Sequence, residues 1–118
     1  SVGIPTWLYG HEPSNVFSRG VAKLFSNAIR EDVLLRLSDG GLICLPGAAG
    51  TVQEIFQALT PRYYASETTI PRLILLGAEH WTQVLPAWPL VEALAAGRAM
   101  ADHVHLCDSV DEVLELLG

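Results

Sequence analysis

The sequence predicts an α/β fold of the doubly wound type, with a parallel sheet buried between helices. Two observations carry this expectation. Leu42 to Leu45, Leu73 to Leu76 and Val104 to Cys107 are short, largely apolar runs without alternation, as strands covered on both faces require. The segments between them have apolar residues at helical spacing, and strand–helix alternation favours right-handed crossovers in a parallel sheet.

Taken in order, Ser1-Val2-Gly3-Ile4-Pro5 reads as a strand entered midway. The expectation is therefore that residues 1–118 form one α/β nucleotide-binding domain, the C-terminal half of a larger sheet. His11 and Glu12 should emerge where this strand ends. Val16 to Phe25 is expected to be helical, with a break at Ser26-Asn27 before a second helix carrying Val33, Leu34 and Leu37. Asp39-Gly40-Gly41 ends that helix. Ile55, Phe56 and Leu59 mark the next helix, which Pro61 should terminate, leaving Tyr63-Tyr64 beyond its end as interface residues. Pro86 and Pro89 divide the stretch from Glu79 to Ala96, with Pro89 suited to a helix start. Val110, Val113, Leu114 and Leu117 form the last apolar stripe.

Composition narrows the function classes. The chain is 118 residues long and half apolar, with seven basic and thirteen acidic residues for a net charge of −6. That balance argues against nucleic-acid polymers and anionic membranes as partners, and no apolar run reaches the length of a membrane span. Cys44 and Cys107 fall inside strand-like runs and form no disulfide framework, which points to a reducing, cytoplasmic setting.

The chemistry is expected in Leu45-Pro46-Gly47-Ala48-Ala49-Gly50-Thr51-Val52-Gln53-Glu54. A buried strand runs through a small-residue turn into an amphipathic helix, which presents backbone N–H groups and the positive end of the helix dipole to an anion. The loop matches neither the dinucleotide fingerprint nor the Walker loop. Thr51-x-x-Glu54 has the spacing of a capping box, as does Ser109-x-x-Glu112 at the last helix, so spacing alone leaves Glu54 as either a cap or a catalytic carboxylate. Ligands of open α/β sheets sit beyond the carboxyl ends of the strands. A helix feeding the strand at Leu42 begins at that edge, which favours Arg30 over Arg36, about 9 Å further along the helix.

Pro-Gly-x-x-Gly-Thr-x-x-Glu after a buried strand, with Arg30 sixteen residues before Pro46, resembles the Lonely Guy (LOG) family of cytokinin riboside 5′-monophosphate phosphoribohydrolases, whose members were often labelled lysine decarboxylases. The resemblance runs from Arg30 through the last helix. It implies a Rossmann-like fold, a homodimer or larger homo-oligomer, and hydrolysis of a nucleoside 5′-monophosphate to free base and ribose 5-phosphate, with no cofactor and no metal. It implies Arg30 and Glu54 as the catalytic pair, and the loop Gly47, Ala48, Ala49, Gly50 and Thr51 as the phosphate and nucleotide site. The alternative is a non-catalytic nucleotide-binding module. Two departures stand out: Ala48 replaces a usual glycine, and Glu31 replaces a basic residue. Alanine tolerates positive φ poorly, so a loop of different shape is expected at Ala48. A pyridoxal-phosphate decarboxylase needs a Schiff-base lysine, and the one lysine, Lys23, is expected in a helix away from the loop.

Among weaker signals, His103-x-His105 places two imidazoles on one strand face without an evident third metal ligand. His80-Trp81 follows a strand and should reach the ligand edge. There the indole either stacks on a base or packs in the core.

Overall fold

The computed structural model describes residues 1–5, 16–24, 26–66 and 69–118. Trp7, His11, Glu12 and Phe25 lie outside the described residues. The chain forms two compact units, Ser1–Leu37 and Ser38–Gly118.

In the first unit, β1 (Val2–Gly3) pairs in parallel with β2 (Gly20–Val21). The amides of Ala22 and Leu24 continue the pairing to the carbonyls of Gly3 and Pro5. These bonds replace the helix expected over Val16 to Phe25: Val16 and Phe17 form a turn with Phe17 82% exposed, and Lys23 lies outside any helix. Gly20 in the middle of that run lowers helix propensity and suits the extended pairing. The break at Ser26 is present. The Ile29 amide donates to Ser26 Oγ at 3.2 Å, capping α1 (Asn27–Leu37). Within α1, Val33 and Leu34 are half-buried, Leu37 is exposed and Glu31 is buried, so the apolar stripe is not what this helix covers most fully.

The second unit is a three-stranded parallel sheet in the order β3 (Leu42–Cys44), β4 (Leu73–Leu76), β5 (Val104–Cys107). Its register aligns Leu42 with Leu73 and Val104, and Cys44 with Leu75 and Leu106. Leu73, Ile74 and Leu75 of the central strand are fully buried, as expected where helices cover both faces. The crossovers are α2 (Ala49–Tyr64) and α3 (Ala87–Ala95), and α4 (Val110–Leu117) closes the chain. The predicted stripe of α2 is largely buried, with Ile55 and Leu59 in the core, and α3 buries Val91 and Ala95. In α4 only Val113 of the predicted stripe is buried. Leu116 packs beside it, while Val110, Leu114 and Leu117 are exposed. No helix among the described residues is long and apolar enough to cross a membrane.

Pro61 does not end its helix. It sits inside α2, so Tyr63 and Tyr64 are helical, and Tyr63 is engaged by Arg98, whose guanidinium lies 3.5 Å from the ring centroid. A proline in a helix interior removes one N–H donor and crowds the preceding turn. The carbonyl left without that donor is Gln57's, and the neighbouring side chains bond other carbonyls. Thr60 Oγ1 donates to the Phe56 carbonyl at 2.9 Å, and Arg62 donates to the carbonyls of Ala58 (2.6 Å) and Pro71 (2.7 Å). Arg62 is only 8% exposed.

Candidate active site

Because the three strands are parallel, their carboxyl ends meet one edge, where the Pro46–Gly50 loop, the Gly77–His80 segment and Asp108-Ser109 come together. Each is tied to a neighbour. The Gly77 amide donates to the Cys107 carbonyl at 2.8 Å, and the Ala78 amide donates to Asp108 Oδ1 at 2.8 Å. His80 Nε2 lies 2.8 Å from the Gly47 carbonyl oxygen. Gly77 has φ +102, and a Cβ there would also come within 3.0 Å of Pro46 Cγ, so glycine lets the loop lie against the end of β4.

The helix after the loop starts earlier than the capping-box spacing suggests. Its N-cap is Ala48, with no side-chain cap hydrogen bond, and Thr51 is its third residue. The capping expectation for Thr51 and Glu54 is therefore overturned. Thr51 instead packs on Gly47: a Cβ built on Gly47 would lie 2.8 Å from the Thr51 Cβ. The comparison motif does cap. The Glu112 amide donates to Ser109 Oγ at 3.2 Å, and Glu112 Oε2 accepts the Asp108 amide at 3.1 Å. The same four-residue spacing thus serves two purposes in one chain.

Ala48 has φ −120, and no non-glycine residue described has positive φ. Alanine at this position therefore needs no left-handed backbone. Ala48, Ala49 and Gly50 are exposed, and a Cβ on Gly50 would meet open space. The first turn of any helix leaves its leading N–H groups without intrahelical acceptors. Here the N-cap residue, Ala48, makes no side-chain cap bond, and with Ala48 to Gly50 exposed the start of the helix is sterically open.

Glu54 is half-buried in α2, and helical spacing puts it one turn deeper on the face shared by Gly50 and Thr51. Its charge is felt by Cys44, whose thiol is pushed up to about 12, first by burial and then by the Glu54 carboxylate, with Arg62 pulling the other way. Cys44 and Cys107 are both free and buried, and a thiol held protonated in this way is a poor nucleophile. Arg30 lies in the first unit, half-buried in the opening turns of α1. Arg36 there is in an exposed ion pair with Asp32 at 3.0 Å.

Trp81 is fully buried and its indole N–H donates to the Leu76 carbonyl at 3.1 Å, so it is a core residue. His103 ends a 3-10 helix and His105 lies on β5. His105 Nε2 is 3.1 Å from Arg72 Nη1, and no group of three metal-ligating residues occurs among the described residues. Sequence reasoning missed the contact of His80 with Gly47 and the burial of Arg62. The first could have been sought in the placement of His80 just past a strand end. The second has no sequence signal beyond an arginine next to Pro61.

The family model described as "Possible lysine decarboxylase" matches residues 1–117. The match includes the segment before Arg30, which the motif alone did not reach. No curated protein matches the chain.

Proposed function

The chain belongs to this family, the LOG-family domain, and from that premise we propose that it hydrolyses the N-glycosidic bond of a nucleoside 5′-monophosphate, yielding free base and ribose 5-phosphate. Membership suggests a nucleotide-related role. The observation that carries the finer reading is the open, uncapped start of α2 with Glu54 one turn below it.

In this reading the 5′-phosphate is held by backbone amides of Gly47 to Thr51, where the helix dipole favours an anion, and Arg30 keeps the substrate-orienting role that the family resemblance implies. As the bond between C1′ and the base nitrogen breaks, positive charge builds on the ribose. The Glu54 carboxylate stabilises that charge and takes a proton from the water whose oxygen bonds to C1′. The bond's electron pair leaves with the base, which accepts a proton. The working form is a homodimer or larger homo-oligomer in a reducing, cytoplasmic setting. Decarboxylation through a lysine Schiff base is disfavoured: the chain's one lysine, Lys23, is not part of the Pro46 to Glu54 motif.

The test is a panel of nucleoside 5′-monophosphates with release of base and ribose 5-phosphate quantified, beside Glu54→Gln. Because Glu54 is not a cap, Glu54→Gln is expected to fold normally and to lose at least about a hundredfold in kcat. Full turnover in that variant would remove Glu54 from the chemistry. Binding without turnover in the wild type would favour the non-catalytic module.

A further inference from the structure

We propose that His80 is a positioning residue that aims the Ala48 amide into the anion loop; this rests on the reading that the loop holds the substrate phosphate. A carbonyl oxygen only accepts, so the 2.8 Å contact between His80 Nε2 and the Gly47 carbonyl requires a hydrogen on Nε2. The Gly47–Ala48 peptide is trans, as are all those described, so its C=O and N–H point in opposite directions. Fixing the carbonyl on His80 turns the Ala48 N–H away from the imidazole. Among the described residues, no backbone carbonyl outside the helices and strands accepts from that N–H.

The imidazole is itself held from several sides. Its ring packs edge-on against Trp81, with centroids 4.6 Å apart, and Trp81 is anchored in the core through Leu76. The segment that carries it is fixed at its start by Asp108, which accepts the Ala78 amide. It then passes into a π-helical turn over His80–Val84, a rare geometry that is frequent at functional sites. Here it places the ring over the loop. His80 touches neither substrate nor reacting atoms. It acts through the direction of one peptide plane.

The test uses the full chain with inorganic phosphate and adenosine 5′-monophosphate as probes. Nitrogen-15 NMR of the wild type should find a hydrogen on His80 Nε2, and the Ala48 amide resonance should move as either probe is added. His80→Phe keeps an aromatic ring beside Trp81 but removes the donor, and it should weaken nucleotide binding about tenfold, a loss of one strong hydrogen bond. That loss should appear in KM, with kcat nearly unchanged. His80→Gln restores a donor at similar reach and should recover most of the affinity. Wild-type affinity in a folded His80→Phe, no recovery in His80→Gln, or a hydrogen on Nδ1 alone would each overturn the inference. A wild type that binds neither probe would overturn it together with the phosphate-loop reading. A Glu54→Gln variant that still turns over would overturn the proposed chemistry and leave the His80 result standing.

Discussion

Thr51 covers Gly47 so closely that a Cβ on the glycine would lie 2.8 Å from the Thr51 Cβ, whereas Gly50, three residues on, has nothing within 4 Å of that position. The two glycines of the loop are therefore unequal. Gly47→Ala should force the loop off the helix start and destabilise the chain by about 1–3 kcal/mol, the usual cost of overpacking. Gly50→Ala should leave stability unchanged or raise it by up to about 1 kcal/mol through helix propensity, yet its methyl would enter the space assigned to the phosphate. Urea denaturation and phosphate titration of both variants separate these effects.

Arg62 holds the last turns of α2 through the Ala58 and Pro71 carbonyls. Burial pushes its guanidinium below the ordinary arginine value, with the nearby Cys44 acting in the opposite direction. Arg62→Ala should cost about 2–4 kcal/mol, because buried carbonyls lose their donor and a cavity opens. Arg62→Lys should recover only part, since a single ammonium cannot reproduce the planar fork that reaches both carbonyls. Denaturant midpoints of the two variants give the comparison.

His105 is held below the usual histidine value, first by burial and then by the positive charges of Arg72 and His103. The unfolded chain therefore takes up the proton before the folded chain does. Stability should be independent of this group above about pH 6.5 and should fall as pH drops below it, until the folded state also protonates. In His105→Gln that component of the acid-side loss should disappear from the pH dependence of the melting temperature.

Periodicity made the second unit readable: Leu42–Cys44, Leu73–Leu76 and Val104–Cys107 are strands with bounds close to the apolar runs, because a buried parallel strand leaves a pattern in its own residues. The departures have local causes that no period contains. β2 exists because the Ala22 and Leu24 amides find acceptors on a strand some twenty residues earlier. Pro61 lies within the last four residues of α2, which runs on past it to Tyr64. Thr51 is not a cap because α2 begins two residues before it. The motif located the loop, but the contact of His80 with it could be learned only once the strands were in register.

The ties at the carboxyl edge join residues far apart in sequence, 33 positions for His80 and Gly47 and 30 for Ala78 and Asp108. Closing such loops costs chain entropy that is recovered only after the strands have paired. The strand pairs themselves span similar separations, Leu42 with Leu73 and Leu73 with Val104, so the edge and the sheet are built by the same chain closures. A peptide carrying Pro46 to Glu54 alone would keep every letter of the motif and none of the tension that shapes it.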